Sequence, residues 1–213
     1  MSTNRVLTNP NKPGVIFVPE LNEEFLLSKE REGIFYDTVE QGTGLATSGT
    51  ALTLFRDFTN KFAVHMNVGK NGKLPSGNAM ALHRTGIQIL QCFGNTVTLD
   101  TDIIKAAYGT TLKFDINERQ IVKTEPTWTL STGLGISGMT TQNATGIVNI
   151  GLPSAAAAPQ LRNAQPVLDR DDLNSEIVWQ SHAWGGATGL ATLTNRVQFM
   201  HVLYGVIKQP VAN

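Results

Sequence analysis

Residues 129–142, TLSTGLGISGMTTQ, space Gly133, Gly135 and Gly138 as G-x-G-x-x-G. That arrangement can cradle a dinucleotide pyrophosphate when a strand precedes it and a helix follows, because the helix N-terminal amides then point at phosphate. Residues 139–146 are instead rich in β-branched and turn-forming side chains and carry no apolar stripe at helical spacing. The next acidic residue after Glu125 is Asp169, so no carboxylate stands about 20 residues further on to take a ribose hydroxyl. The expectation is a Gly/Thr loop and no cofactor.

The four histidines, His65, His83, His182 and His201, are the other candidates for chemistry. A metal held on a β-sandwich needs ligands converging from adjacent strands, usually with two of them in a His-x-His pair. His65 stands in Val64-His65-Met66 with no His or Glu two residues away, so strand histidines facing solvent or a neighbour are the simpler reading. Ser181-His182 are adjacent rather than opposed, and neither G-x-S-x-G nor Gly-Lys-Ser/Thr occurs, which argues against a nucleophilic hydrolase and a phosphate loop. The reading is therefore not an enzyme. Trp128 and Trp179 lie in strand patterns and are expected in the core. Trp184 at a loop edge, its neighbour His182, and Tyr204 in the last strand are the candidate contact residues, for sugar or for protein.

Composition narrows the field. Among 213 residues, 17 basic and 17 acidic side chains cancel, so no net field draws nucleic acid or an anionic membrane. The densest acidic stretch, Asp169, Asp171, Asp172 and Glu176, is interrupted by Arg170 and reads as a solvated turn. The single cysteine, Cys92, excludes an internal disulfide and a thiolate zinc cluster, and its apolar neighbours suit a small buried hydrophobe. The first residues hold no apolar signal core and no run approaches a membrane span, so synthesis in the cytosol is expected.

The elements that must position any site read mostly as strands. In residues 62–68, Phe62, Val64, Met66 and Val68 share one face, and Asn71-Gly72 supplies a tight turn, so a hairpin into the segment of Met80, Leu82, Ile87 and Ile89 is expected. The apolar set there switches from even to odd positions, which requires one extra residue, assigned to a bulge at Gly86. Further strands are expected at 96–99, 111–116 with Leu112, Phe114 and Ile116 inward, 127–130, 146–150, 175–180 and 196–207. One short helix is expected, capped by Thr101 or Asp102, filled by residues 103–108 and closed by Gly109 in the left-handed conformation. The last strand is apolar on both parities and so needs cover on both faces. The fold class is all-β, an antiparallel two-sheet sandwich, with a single jelly roll as the expected arrangement. Residues 1–14 read as an extended arm, 15–213 as one domain, and 133–159 as a long Gly/Ala-rich loop.

The order of several segments adds a resemblance. Gly72-Lys73-Leu74-Pro75-Ser76-Gly77, the strand at 79–90, Thr110-Thr111-Leu112-Lys113-Phe114-Asp115-Ile116, Glu125-Pro126, Gly133-Leu134-Gly135-Ile136-Ser137-Gly138 and Val202-Leu203-Tyr204-Gly205-Val206-Ile207-Lys208-Gln209-Pro210-Val211 follow one another in a pattern that resembles jelly-roll major capsid proteins of small tailless icosahedral bacteriophages. The resemblance spans about residues 60–210. It implies a virion structural protein, made in the host cytoplasm, that packs beside copies of itself and other virion proteins in a closed shell, which can enclose an internal membrane. It carries over no catalytic, metal or cofactor residue. The depletion of charge suits extensive subunit contacts. The alternative expectation is a carbohydrate- or receptor-binding sandwich, such as a spike or fibre domain.

Overall fold

A computed structural model describes residues 7–8, 15–18, 23–26, 30–45, 49–56, 61, 65–69, 72–91, 100–132, 137–139, 147–149, 156–180, 192–193 and 196–208. Among these described residues, fifteen strands and one α-helix follow one another in chain order. The first six strands are β1 (Leu7–Thr8), β2 (Val15–Val18), β3 (Glu23–Leu26), β4 (Glu30–Gln41), β5 (Gly44–Leu45) and β6 (Ala51–Leu54). After β7 (Ala79–Gln91) come the helix α1 (Asp100–Gly109), β8 (Thr110–Ile116) and β9 (Arg119–Pro126). The chain continues through β10 (Ser137–Met139), β11 (Ile147–Asn149), β12 (Gln160–Leu168), β13 (Leu173–Trp179), β14 (Thr192–Leu193) and β15 (Val197–Lys208).

Eight of these strands build two antiparallel four-stranded sheets, in line with the all-β sandwich expected from the sequence pattern. Sheet one runs β12-β7-β15-β4 and sheet two runs β6-β13-β8-β9. Their pairing is nested. The first of the eight, β4, pairs with the last, β15; β6 pairs with β13, β7 with β12, and β8 with β9. Cross-pairings β15 with β7 and β13 with β8 then complete each sheet.

Period-two alternation explains which sides meet. Leu173, Ser175, Ile177 and Trp179 of β13, Leu112, Phe114 and Ile116 of β8, and Val197, Phe199, His201 and Leu203 of β15 are all buried. Across the interior Trp179 meets Phe199 edge-on, with ring centroids 6.3 Å apart. On the outer side of sheet one, Val202 and Tyr204 are also buried, packed with Ala158 and beside Tyr36 and Met200. The two-sided apolar character of the last strand thus finds part of its outer cover within the chain, from the segment just before β12. Arg84 anchors that segment by donating from Nη1 to the Ala156 and Ala158 carbonyls at 3.1 and 3.2 Å.

Several details differ from expectation. Residues 62–64 lie outside the described residues, and no hairpin joins residues 65–68 to β7, which pairs with β12 and β15; Met66 instead bridges Asp37 of β4. The switch of parity in β7 is real but lies at His83. Tyr204 pairs with Arg84 and Gly205 with Leu82, leaving His83 as the extra residue. Gly86 serves close approach instead. A Cβ there would stand 2.6 Å from Thr132 Cγ2 and 2.7 Å from the Leu130 carbonyl oxygen, so its hydrogen lets the crossing segment lie on the sheet. Thr132 N–H reaches the Ile87 carbonyl at 3.1 Å across that contact.

Residues Thr127–Leu130 form a 3-10 turn rather than a strand. The helix is present, but Gly109 is not left-handed. The chain runs directly into β8, and a Cβ on Gly109 would press on the Trp179 ring at 3.2 Å. Two residues of the expected arm, Leu7–Thr8, pair with β2, which pairs with β3. Within the expected 133–159 loop, β10 and β11 pair as an antiparallel ribbon, so Gly138 lies in a strand where a nucleotide fold would start its helix. The expected strand at 96–99 lies outside the described residues.

Candidate functional site

Of the three residues expected to make contacts, Tyr204 alone is among the described residues. His182 and Trp184 lie outside the described residues, as does Cys92. Tyr204 is 7% exposed and so is covered within the chain. Its hydroxyl lies toward that of Thr132, and neither oxygen completes a hydrogen bond of good geometry. Burial raises the Tyr204 pKa, and the Thr132 hydroxyl opposes that rise. Of the other two tryptophans, Trp179 is buried as expected, whereas Trp128 is 50% exposed and rests against exposed Tyr108, centroids 5.9 Å apart. Composition could not separate them, since the 3-10 turn that lifts Trp128 outward replaces an expected strand.

The described histidines take unlike environments. His83, half-buried at the bulge, has its pKa lowered by desolvation, with Glu32 opposing and Arg84 assisting. His201 is fully buried on the inner side of β15, where desolvation pushes its pKa down to about 3. Its ring meets Phe114 edge-on at 4.9 Å and Phe55 at 5.4 Å, and Nε2 lies 2.6 Å from Thr85 Oγ1. Nδ1 has no hydrogen-bond partner. A neutral ring carries one N–H, and placing it on Nε2 toward Thr85 leaves only a lone pair unmet against the phenyl rings. The expectation for the strand histidines is solvent or a neighbour, and His201 is a core residue that faces Phe114, Phe55 and Thr85 rather than solvent.

Beside it in register on β4 stands Asp37, also fully buried. Its carboxylate accepts from Phe55 N–H at 2.6 Å and from Thr38 N–H at 2.8 Å, while Lys61 Nζ lies 2.8 Å from each oxygen. Four charge-assisted bonds satisfy this carboxylate, which makes the cluster a structural anchor rather than a poised catalyst. Among the described residues no group of three His, Cys, Asp or Glu side chains could hold a metal ion. No helix of the described residues is long and apolar enough to cross a membrane.

An open groove of about 580 Å³ lies on the outer face of sheet two. Register builds its floor: Asn174 of β13 pairs with Asp115 of β8, which pairs with Gln120 of β9. These three stand on the side opposite the core, and Lys113 stands two residues along β8. Arg56 and Glu118 complete the rim, and Asn117 with Asp172 closes one end.

That end is rigid for a local reason. Asn117 and Glu118 make the two-residue β8–β9 turn with φ of 49° and 64°, the left-handed pair that such a turn requires. Asn suits this and Glu does not, and the turn is held by Asn117, which donates to Asp171 at 2.7 Å and accepts from Asp172 N–H at 2.8 Å. The acidic stretch 169–172 is therefore more than a solvated turn. Asp169 also takes Gly77 N–H at 2.6 Å, and Asp171 takes Leu168 N–H at 2.7 Å.

Within the groove the charges are mixed. Lys113 Nζ lies 3.0 Å from Asp115 Oδ2, and the hydrogen bond to Asp115 raises the lysine pKa. Asp115 is only 7% exposed, and the buried Asn174 Oδ1 has no donor. Sequence reading missed this site because Arg56, Lys113 and Asn174 meet only through strand order. Compared with family models and with curated proteins, the chain matches none.

Proposed function

We propose that this chain is a virion coat protein that works by assembling with copies of itself and with other virion proteins into a closed icosahedral shell, around an internal membrane where one is present. The observation that carries the reading is the nested pairing. Numbering the eight sandwich strands from first to last, sheet one has the order 6-3-8-1 and sheet two the order 2-7-4-5. That order supports reading the sandwich as a jelly roll, an architecture used by viral capsid proteins and also by lectins and cupins. Because a fold does not fix a function, the choice among these rests on the segment resemblance and on the balanced, sparse charge.

The mechanism in this reading is geometric. Two sheets locked across one core present fixed edges, of which β4 is the long exposed one in sheet one. That edge is partly closed against uncontrolled pairing. Asn67 accepts Tyr36 N–H at 2.7 Å and donates to the Ile34 carbonyl at 2.8 Å, occupying the backbone groups that a stray strand would use. Growth through defined side-chain contacts, rather than open-ended strand addition, is what a closed shell requires.

The test is the native mass by light scattering, followed by negative-stain imaging of the largest species. Closed particles, or rings of several copies, are expected. A monomer at every salt and protein concentration would overturn the reading.

A further inference from the structure

We infer that the groove on the outer face of sheet two is a binding site for a neutral, hydroxyl-rich ligand of the saccharide class. The inference stands apart from the coat reading, since a groove on an exposed sheet face can act on a free protein or on an assembled one.

The argument begins with groups that lack partners. Asn174 Oδ1 is buried and accepts nothing, and the adjacent Asp115, 7% exposed as a residue, gives Oδ2 to Lys113. A buried acceptor without a donor costs roughly 1–3 kcal/mol, and beside it Asp115 is the floor acceptor that keeps some exposure, with its side chain 10% accessible. The rim supplies donors. Arg56, with five N–H groups, lines the groove, and Lys113 keeps donors beyond its bond to Asp115.

Three ligand classes can be weighed against that pattern. A metal ion would meet the acceptors, but Arg56 and Lys113 stand at the same groove and repel it, and the described residues offer no three-ligand group. An anion would suit Arg56 and Lys113, yet it would face Asp115, Glu118 and Asp172. A hydroxyl both donates and accepts, so vicinal hydroxyls can give to Asp115 while taking from Arg56 and Lys113. Gln120, paired in register with Asp115 and carrying both a carbonyl and an NH₂, extends the same pattern across a third strand. The groove is also pre-formed, because its end wall is fixed by the Asn117 bonds to Asp171 and Asp172.

The test is ligand-observed saturation-transfer NMR on the full chain, which reads weak binding to a monomer or to a large particle alike. The probes are D-glucose, D-galactose, D-mannose and N-acetyl-D-glucosamine, with methylammonium and methyl phosphate as the rival cation and anion. Transfer to at least one sugar is expected, with binding about tenfold weaker in Arg56→Ala and in Asp115→Asn. Gln120→Ala, at an exposed position, keeps the test sound if Asp115→Asn does not fold, and it should also weaken the signal. No transfer to any sugar, transfer unchanged in all folded variants, or a preference for methylammonium or methyl phosphate would each overturn the inference.

Discussion

The carboxylate of Asp37 accepts the backbone N–H of Phe55 at 2.6 Å and so holds a phenylalanine at φ 64°, a conformation that side-chain-bearing residues rarely adopt. The bond ties β4 of sheet one to the residue after β6 of sheet two, and the Phe55 ring then fills the space against Phe114 and His201. Removing the carboxylate leaves Lys61, 12% exposed, without its counter-charge and releases the strained backbone. Asp37→Ala should therefore cost about 3–5 kcal/mol, as for other broken buried pairs, measured as a lower urea midpoint. Asp37→Asn combined with Lys61→Met should recover part of that loss, because no unpaired charge remains. Equal loss in both variants would mean that the uncompensated Lys61 charge is not the main source of the cost.

His201 gives the fold a defined acid sensitivity. Its folded pKa, about 3, lies below the ordinary value of 6.5, so the unfolded chain binds the proton first as pH falls. Stability is then fully present above about pH 6.5 and declines between there and about pH 3, with the folding equilibrium falling by up to roughly tenfold per pH unit from this group alone. The urea midpoint followed from pH 7 to pH 4 should show this decline. In His201→Gln, which cannot take the charge, the slope over that window should flatten even though the starting stability is lower.

The two tryptophans with known surroundings separate burial from residue type. Trp179 packs on Phe199, backs Gly109 and donates from Nε1 to Gln41 at 3.2 Å, with 2% of its surface exposed. Its replacement by Ala should cost about 3–5 kcal/mol. Trp128 leans on Tyr108 at the surface, and Trp128→Ala should shift stability by no more than about 1 kcal/mol. Chemical denaturation of the two variants under one set of conditions checks the contrast, and similar losses would show that the Tyr108 contact matters more than its exposure suggests.

Local pattern is legible where a strand buries one side only. The alternation of Leu112, Phe114 and Ile116, or of Ile177 and Trp179, needs no knowledge of partners. The parity switch in β7 is also visible, yet its place is not: glycine tolerates a bulge, which points to Gly86, while the register shows His83 as the extra residue and Gly86 as a point of close approach. That difference is set by what lies over the strand, which is long-range information. The same holds for Asp37 with Lys61, 24 positions apart, and for the groove, where Asn174 and Asp115 meet because β13 pairs with β8. Strand order, not periodicity, creates both.

Gly86 offers a direct test of that reading. If its hydrogen is what admits the segment carrying Leu130 and Thr132, then Gly86→Ala forces a methyl group to within 2.6 Å of Thr132 Cγ2 and 2.7 Å of a backbone oxygen that has little freedom to move. The expected loss is about 1–3 kcal/mol, in the range of an overpacked core. A more specific readout is hydrogen exchange at Thr132, whose N–H bonds to the Ile87 carbonyl at 3.1 Å. That amide should lose protection in Gly86→Ala beyond the fall in global stability, while Gly42→Ala, where a Cβ meets nothing within 4 Å, should leave it unchanged. Retained protection at Thr132 in Gly86→Ala would show that the segment can shift to make room, and that a bulge-tolerant backbone, rather than close approach, is why glycine stands there.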